Sequence, residues 1–449
     1  MSNLKTKIGL EIHVTLNTKS KLFCTCPTTK EKPNVNICPI CLGHPGSKPV
    51  TNKAAVKKII LLAKALNCKI RDELIFSRKS YFYPDLAKNY QITQFEEPVG
   101  YNGYVNLDKK IKIKRIHLEE DPASITRDKA TLIDFNRSGM PLAEIVTEPD
   151  IESAKQARQF MNKLLRDLKY LEVFNDEDVL KSDVNVSIEK HNFQRVEVKN
   201  VTGFKDIESV IKYEINRQQI ETPINETREW DSVNQKTNSM RKKESEADYA
   251  YIYDPDLAVT NIVEMNNSLK IPKLSDERIN EYIAKGVDST DANIIAMNKN
   301  IADFFEKTTS EPIITSQWIR RELLGTLNNQ KIELAQTHIT PSNFSELIQF
   351  VKNKKINEKI AKDILEKLCK ENFNVTKYIK DNNLETVDDS NYIERIVNQV
   401  IAENQKAVED YQNGEAKSLQ YLVGQVMKHT KGKANPKTTN ELIITKITK

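Results

Sequence analysis

Glycine is scarce in this chain, with only 12 glycines among 449 residues. The sequence contains no GxxxxGK[ST] loop, no GxGxxG motif at the start of a helix and no GxSxG elbow. These absences argue against the glycine-rich loops that hold phosphates in many nucleotide-binding proteins, and against a serine hydrolase. A Gly/Ser-rich amidase stretch, which could release ammonia from an amide, is absent as well. If the chain handles a nucleotide, we expect metal-bound phosphates on the face of a sheet.

Long apolar runs are also lacking, and no stretch reaches the roughly 20 residues that a membrane-spanning helix needs. The first residues, MSNLKTK, lead into a strand pattern without the apolar centre of a signal peptide. We therefore expect a cytoplasmic protein that has no membrane partner.

The pattern of elements predicts an α+β protein in three parts. Up to residue 289, strand and helix patterns mix, which indicates a large mixed α/β domain with an antiparallel sheet. Its alternating strand patterns fall at 8–16, 115–119, 183–189 and 195–201. Helices are expected after Asn52, a suitable N-cap, and after Ser153. Strand patterns then nearly vanish, which predicts a helical domain over 290–391 and a small helical tail domain over 392–449, interrupted at Gly414.

Four of the six cysteines cluster as two pairs, Cys24 with Cys26 and Cys38 with Cys41. In a reducing compartment, paired thiolates on tight turns are typical of a structural zinc site rather than disulfides. A thioredoxin-like redox role for the CPIC motif is the alternative, but it requires a helix directly after the motif. The sequence GHPG at 43–46 is unfavourable for such a helix.

Strand patterns place several acidic and imidazole side chains on shared faces. In IGLEIHVTLN, Glu11 and His13 alternate with apolar residues, and RIHLEED and PLAEIVTEPD present Glu119 and Glu144 in a similar way. If these strands are neighbours in one sheet, Glu11, His13, Glu119 and Glu144 can converge on one hard divalent cation, Mg²⁺ or Mn²⁺. In the alternative, each acid pairs with a nearby Arg or Lys, and His117 is an ordinary hydrogen-bonded sheet histidine.

Two further strand patterns carry polar faces that an antiparallel hairpin would turn into a polar cleft. The two faces hold Asp183, Asn185 and Ser187 on one strand and Arg195, Glu197 and Lys199 on the next. Basic and aromatic residues alternate over 77–95, including Lys79, Tyr81 and Tyr83. This mixture suits an unpaired nucleic-acid end, because rings stack on bases and cations hold phosphates. Packing of the aromatic residues in a core is the alternative.

The C-terminal segment 428–449 is basic, with six lysines and a single acidic residue, Glu441. Such a segment can bind phosphate groups, although a solvated lysine-rich end is an equally simple interpretation.

Seven stretches carry a resemblance to a known family. They are IGLEIHVTLNTKSKLFC, ICPICLGHPGSKPVTNK, RKSYFYPDLAKNYQITQF, RIHLEED, DFNRSGMPLAEIVTEPDI, VEVKN and VEDYQNGEAKSLQYLVGQVMKHTKGKANP. Over nearly its full length the chain resembles the B subunits of the tRNA-dependent amidotransferases, which convert misacylated Asp-tRNA(Asn) or Glu-tRNA(Gln) to the amide form. It departs from the usual family pattern at Ala143, Lys181, Ser182 and Ala250.

The resemblance implies a kinase-like cradle domain followed by a helical domain and a tail domain. It implies that ATP is a substrate that activates the tRNA-linked carboxylate. It further implies that ammonia arrives through a channel from a glutaminase (amidase), the A subunit, which is held by a small C subunit in a heterotrimer. The family's magnesium ligands fall on Glu11, His13, Glu119 and Glu144. Its structural zinc ligands fall on Cys24, Cys26, Cys38 and Cys41.

On this interpretation, the expected ATP or substrate contacts are Lys79, Tyr81, Tyr83, Arg115 and Lys199. The expected contacts to the tRNA body are Lys417, Lys428, Lys431 and Lys433. A tRNA-binding scaffold with a zinc site but no chemistry is the competing hypothesis. The sequence also leaves open whether Asp-tRNA(Asn), Glu-tRNA(Gln) or both are substrates.

Overall fold

The fold is given by a computed structural model that describes residues 4–127, 129–174, 178–242, 250–385, 390–430, 434 and 436–447. The chain divides into two compact units, Met1–Leu274 and Ser275–Lys449. The first unit combines strands with helices, and the elements described in the second are helical. The predicted α+β class is therefore confirmed.

Strands occur in the first unit, and all of those described precede residue 262. They are β1 (Thr6–Thr15), β2 (Lys69–Ile70), β3 (Glu73–Leu74), β4 (Ser77–Ser80), β5 (Tyr90–Thr93), β6 (Gly100–Asn106), β7 (Lys110–Glu120), β8 (Ser124–Arg127), β9 (Thr131–Asp134), β10 (Pro141–Thr147), β11 (Lys181–Ile188), β12 (Val196–Thr202), β13 (Glu226–Asp231), β14 (Lys236–Lys242), β15 (Ala250–Tyr253) and β16 (Thr260–Asn261).

Helices occur in both units. Those of the first unit are α1 (Lys53–Ala65), α2 (Ala154–Tyr170), α3 (Phe204–Ile220) and α4 (Val263–Ser268). Those of the second unit are α5 (Ser275–Ala284), α6 (Ser289–Ala296), α7 (Lys299–Lys307), α8 (Pro312–Trp318), α9 (Leu324–Gln330), α10 (Pro341–Lys352), α11 (Glu358–Leu368), α12 (Val375–Asp381), α13 (Ser390–Glu403), α14 (Gln405–Gln412), α15 (Ala416–His429) and α16 (Pro436–Ile447). No described helix is long and apolar enough to span a membrane.

A nine-stranded sheet organises the first unit, in the order β14-β13-β12-β11-β1-β10-β7-β6-β2. Its pairs are antiparallel except β12 with β13, and the predicted hairpin of β11 and β12 is confirmed. A smaller sheet, β15-β4-β5, holds the basic and aromatic stretch. The central strand β1 thus has β11 on one side and β10 on the other.

One face of the large sheet packs on helices, and the other face is left for polar side chains. Leu10, Ile12 and Val14 of β1 are fully buried in a core that also contains Phe160 and Leu164 of α2. Burying this much apolar surface supplies most of the free energy that fixes the sheet and its register. Residues between the buried ones, such as those of the Glu-x-His pair, must therefore face the opposite side.

The N-cap residues predicted from the sequence cap helices α1 and α2 in the structure. The Asn52 side chain accepts hydrogen bonds from the N–H groups of Ala54 and Ala55, and the Ser153 hydroxyl accepts one from Gln156. Both satisfy N–H groups that a helix start leaves unpaired, which explains where α1 and α2 begin. Gly414 lies between α14 and α15 with φ of +101°, a conformation that favours glycine.

The division between the units falls at residue 274, whereas the sequence analysis placed the end of the first domain at residue 289. Helix α5 belongs with the helices that follow it. The Tyr282 ring packs edge-on against Phe305 at 4.9 Å between centroids, and its hydroxyl donates to Glu306. Residues of α13, α15 and α16 share an apolar cluster of their own, which includes Val397, Leu422 and Ile443. A separate tail domain from residue 392 stays a prediction.

Candidate active site

The polar face of the large sheet brings distant acidic and imidazole side chains together. In the strand register, His13 of β1 lies opposite Glu144 of β10, and Glu144 lies opposite His117 of β7. Glu119 lies opposite Leu142 in the same pair of strands, two residues further along. The strand order β1-β10-β7 makes these three strands neighbours, which the sequence alone did not show.

His13, Glu119 and Glu144 form a compact group whose ligand atoms all lie within 4.8 Å of one another. The His13 Nε2 atom is 3.5 Å from Glu119 Oε1 and 3.6 Å from Glu144 Oε2. One imidazole nitrogen with two carboxylates is a donor set that can hold Mg²⁺ or Mn²⁺. We call these three residues the His13 group.

Glu11, the fourth predicted ligand, lies in a neighbouring group. It is opposite Asp183 of β11, and its carboxylate clusters with those of Asp183 and Glu197, again within 4.8 Å. Of the four residues predicted to share one ion, the structure therefore brings three together and places the fourth in a neighbouring group, and the ion itself stays a prediction. The reason for this separation is the position of β1 between two strands: Glu11 is about 7 Å along the strand from His13 and turns toward β11 rather than β10. We call Glu11, Asp183 and Glu197 the Glu11 group.

Sequence reasoning left His117 outside the ligand set. Its Nε2 atom is 3.6 Å from Glu119 Oε2 and 3.5 Å from Glu144 Oε2, and the residue is only 3% exposed. The available signal was its place two residues before Glu119, on the same strand face. Arg115, two residues earlier, reaches Glu144 Oε1 at 3.6 Å, so Glu144 has an arginine partner as the alternative interpretation supposed.

The two groups differ in their electrostatics. Burial alone would lower the pKa of His13, but its hydrogen bond to Glu144 and the charge of Glu119 outweigh burial and raise the pKa to about 10. Burial would raise the pKa of Glu144, yet the charge of His117 and the His13 hydrogen bond hold that pKa well below its usual range. In the Glu11 group, burial and then the charges of Glu144, Glu197 and Asp183 raise the pKa of Glu11.

Glu119 and Glu144 of the His13 group and Glu11 and Glu197 of the Glu11 group line one cleft of about 320 Å³ on the sheet face, whereas His13 and Asp183 are not among its lining residues. Of the predicted ATP or substrate contacts, Lys79, Arg115 and Lys199 line it. Tyr81 and Tyr83 are not among its lining residues. The Tyr81 ring lies 5.7 Å from Lys79 Nζ, and Tyr83 is 47% exposed, with its hydroxyl accepting a hydrogen bond from Arg127.

Other lining residues are not among the predicted ATP or substrate contacts, although Arg195 was predicted to face a polar cleft. Phe95 and Tyr251 stack at 4.0 Å between ring centroids, with 15° between their planes, and form an apolar wall of the cleft. Lys114 and Arg195 add positive charge to the lining. These residues come from segments whose pairing in space the sequence does not reveal. The cleft therefore combines carboxylates, cations and a flat aromatic surface, which together suit a phosphate-bearing ligand.

Two departures from the family pattern are placed close to this face. Lys181 lies opposite His13 on β11, and burial together with the charge of Arg137 lowers its pKa. Ala143 is fully buried on the core side of β10. Neither residue lines the cleft described above.

The four predicted zinc ligands come together in a second place. The sulfur atoms of Cys24, Cys26, Cys38 and Cys41 all lie within 4.8 Å of one another. A tetrahedral zinc with Zn–S bonds of about 2.3 Å would separate its sulfur ligands by about 3.8 Å, so the arrangement fits the ion. After Cys41 the chain forms turns, and the next helix is α1 at Lys53. The helix that the redox alternative requires is therefore lacking in this fully described stretch.

The surroundings of Cys41 favour its thiolate form. Its hydrogen bond with Cys24 lowers the pKa of Cys41 to about 4, and burial raises the pKa of Cys26 to about 11. The backbone N–H of Cys38 donates to Cys41 Sγ at 3.1 Å. Lys21, which is fully buried, places its Nζ atom 3.7 Å from the same sulfur and 3.3 Å from the Phe135 carbonyl oxygen. Since a buried ammonium is costly without a counter-charge, this contact indicates an ionised sulfur centre.

The predicted tRNA-body contacts lie in the tail. Lys417 and Lys428 are both residues of α15. Eleven residues of helix is close to three full turns, so both lie on one side, about 16 Å apart along the axis. Lys431 and Lys433 lie outside the described residues.

Two models of known protein families together match most of the chain. The model of the GatB/GatE catalytic domain matches residues 6–267, and a GatB domain model matches residues 303–447. The chain belongs to the family of amidotransferase B subunits. The first match contains the cleft and the cysteine cluster, and the second contains the two lysines of α15.

Individual relatives are similar in sequence to this chain over nearly their whole length. A Thermosipho melanesiensis protein is 43% identical, covering 98% of each chain. Proteins of Finegoldia magna and Brevibacillus brevis are each 40% identical, covering 99% of this chain and 100% and 98% of their own. All three are named as the B subunit of an aspartyl/glutamyl-tRNA(Asn/Gln) amidotransferase. The resemblance expected from the sequence is confirmed, and the chain is a subunit of this kind of amidotransferase.

Proposed function

We propose that this chain uses ATP to activate the side-chain carboxylate of misacylated Asp-tRNA(Asn), Glu-tRNA(Gln) or both, and then amidates it. The observation that carries the proposal is the His13 group, of which Glu119 and Glu144 line a cleft together with Lys79, Arg115 and Lys199. A binding scaffold has no use for buried carboxylates beside an imidazole, whereas phosphoryl transfer needs such groups.

The chemistry follows from the poor reactivity of a carboxylate toward ammonia, because hydroxide or oxide is a bad leaving group. A carboxylate oxygen would attack the γ-phosphorus of ATP, and the bond to the bridging oxygen would break to release ADP. Ammonia would then add to the carbonyl carbon of the acyl phosphate and expel phosphate, leaving the amide. Phosphoryl transfer of this kind depends mainly on positioning and on neutralisation of charge.

We assign Mg²⁺ binding to His13, Glu119 and Glu144. The ion would supply charge neutralisation for the phosphates and a Lewis acid near the transferred group. Around it, Arg115 and Lys79 would orient phosphate oxygens, and His117 would fix both glutamates through its contacts at 3.5 and 3.6 Å. The stacked rings of Phe95 and Tyr251 would bind a flat part of the substrate and exclude water from that side.

For the cysteine cluster we propose structural zinc, with Cys24, Cys26, Cys38 and Cys41 as its ligands and Lys21 as the neighbouring cation. All four positions of a tetrahedral ion would be occupied by sulfur, so no open position remains for catalysis. Its role would be to fix the loop between β1 and α1.

The proposed partners are the misacylated tRNA, a glutaminase as the A subunit, and a small C subunit, all in the cytoplasm. The two protein partners would form a heterotrimer with this chain. The sequence lacks amidase machinery of its own, so ammonia must come from another protein. Lys417 and Lys428 are proposed to contact the tRNA body, together with the tail lysines at 431 and 433.

An amidation assay with the reconstituted complex tests the proposal. Amide should form from glutamine only when ATP, Mg²⁺, the amidase partner and a misacylated tRNA are all present. Glu144→Gln should reduce the rate of amide formation by at least about 100-fold, because it removes the negative charge of a proposed Mg²⁺ ligand. Glu148→Gln is the matched control, since Glu148 lines the same cleft but belongs to neither carboxylate group. Binding of tRNA without ATP-dependent amide formation would identify a scaffold instead.

A further inference from the structure

Residues of two different sheets line the cleft, so its shape depends on how the two sheets are joined. The large sheet provides Glu119 of β7, and the smaller sheet provides Lys79 of β4 and Tyr251 of β15. In the smaller sheet, Tyr251 lies opposite Lys79, and Lys79 lies opposite Gln91 of β5. Because directly paired residues lie side by side on one face, the position of β5 sets the position of both cleft residues.

Gln94, the residue that follows β5, joins the two sheets where β7 extends beyond β6. The pairing of β6 with β7 ends at Ile116 of β7. Further along β7, the backbone N–H of Leu118 donates to Gln94 Oε1 at 3.0 Å. The Gln94 Nε2 atom donates to the carbonyl oxygens of Ile75 at 2.9 Å and Glu97 at 3.3 Å. Gln94 is 1% exposed, so its buried amide takes the place of a neighbouring strand for this part of β7.

Glu120 of β7 adds further bonds to β5. Its Oε1 atom accepts a hydrogen bond from the Ile92 N–H at 2.8 Å, and its carbonyl oxygen accepts one from Gln91 Nε2 at 2.7 Å. The hydroxyl of Thr93 donates to Glu119 Oε2 at 3.3 Å. Glu119 is therefore bonded to β5 itself, and the residues before and after it in β7 are bonded to β5 or to the residue that follows β5.

We propose that Gln94 is a positioning residue for phosphoryl transfer, because its amide fixes the smaller sheet against β7. It thereby sets the distance from Lys79 and Tyr251 to Glu119. Buried N–H and C=O groups are costly to leave without partners, so these bonds favour one arrangement of the two sheets. A displacement of about 1 Å between reacting groups can lower a rate by about 100-fold. The inference rests on the proposed function, which gives the three cleft residues their roles.

The test measures ATP-dependent amide formation by the reconstituted complex with Gln94→Met in this chain. Methionine is similar in size to glutamine, but it cannot donate to the Ile75 carbonyl oxygen and its sulfur is a weak acceptor for the Leu118 N–H. We expect kcat to fall by at least about 10-fold while KM for the misacylated tRNA changes by less than about 2-fold. Gln219→Met, the same replacement at an exposed position of α3, should keep both values.

A double-mutant cycle with Lys79→Ala separates positioning from a general loss of stability. If Gln94 acts through the smaller sheet, Gln94→Met should lower kcat by no more than about 3-fold in a chain that already carries Lys79→Ala, because the cation that it positions is gone. A general loss of folded protein would instead lower kcat by the same factor in both chains.

Hydrogen–deuterium exchange of the full-length chain tests the joint without reference to activity. In Gln94→Met, the backbone amides of 90–94 and 115–120 should exchange at least about 10-fold faster, whereas those of β11 and β12 should keep the wild-type rate. Urea unfolding checks that each variant is folded. Gln91→Met, which removes the bond to the Glu120 carbonyl oxygen, serves as a second variant if Gln94→Met is not folded.

Two results would overturn the positioning role alone. One is wild-type kcat in a folded Gln94→Met complex, and the other is an equal loss of kcat with and without Lys79→Ala. A wild-type complex that makes no amide would instead contradict the proposed function, and the positioning role with it.

Discussion

Lys21 is a lysine with no exposed surface, and its replacement gives a sharp prediction about the cysteine cluster. Its ammonium group lies 3.7 Å from Cys41 Sγ and 3.3 Å from the Phe135 carbonyl oxygen. If Cys41 and its three neighbours bind zinc as thiolates, the complex carries excess negative charge that Lys21 partly neutralises. Lys21→Met keeps an unbranched side chain that is one heavy atom shorter and removes the charge.

The expected loss of zinc affinity can be judged from residues that contact a metal's ligands without binding the metal themselves. Replacing such a partner commonly weakens metal binding by about 10- to 100-fold. At about 1.4 kcal/mol for each factor of ten, the predicted loss in zinc binding is about 1.4 to 2.8 kcal/mol. Met fills the apolar part of the site, so packing should change little.

Competition with a coloured chelator measures the zinc affinity, and substitution with Co²⁺ reports tetrahedral sulfur coordination through its visible charge-transfer bands. Lys19→Met is the matched control, because Lys19 is exposed and only two residues away. A folded Lys21→Met chain that binds zinc as tightly as the wild type would refute the reasoning. So would the absence of any bound zinc in the wild-type chain.

Two further predictions concern packing and tRNA binding. Gly103→Ala should lower the free energy of unfolding by about 1–3 kcal/mol, because its Cβ would clash with Cys68 Sγ and fall 2.5 Å from the Leu66 carbonyl oxygen. Gly325→Ala in α9, where a Cβ meets no atom within 4 Å, should instead raise it by up to about 1 kcal/mol, and urea unfolding of the two variants separates these outcomes. Replacing both Lys417 and Lys428 by Ala should weaken tRNA binding and reduce the slope of log affinity against log salt by about 2. An unchanged slope in a binding titration across salt concentrations would exclude both lysines from the interface.

Local patterns in the sequence were enough to predict the elements that build the site. Alternation predicted β1 over 8–16, and the structure has Thr6–Thr15, with the same residues on the core side. Asn52 predicted the start of α1 because its side chain can accept hydrogen bonds from two N–H groups of the first turn. These signals depend on neighbours in sequence, so one chain is enough to detect them.

Features that depend on strand order could not be predicted from the sequence. Glu11 and His13 share a strand face, but β1 has β11 on one side and β10 on the other. Only that order shows that Glu11 joins Asp183 and Glu197 while His13 joins Glu119 and Glu144. Lys21 is a similar case, since a lysine in the run NTKSKLFC is expected at the surface and only the fold brings its ammonium group to Cys41. The contact of Tyr282 in α5 with Phe305 is another feature that only the fold shows.

The central claim is that the His13 group supports transfer of a phosphoryl group from ATP to the tRNA-linked carboxylate. The most direct measurement follows a radiolabelled γ-phosphate of ATP in the reconstituted complex, with misacylated tRNA present and without glutamine or ammonia. The account predicts tRNA-bound label in the wild type and in Glu148→Gln, and at least about 100-fold slower labelling in Glu119→Gln. Labelling at the wild-type rate in a folded Glu119→Gln chain would contradict it.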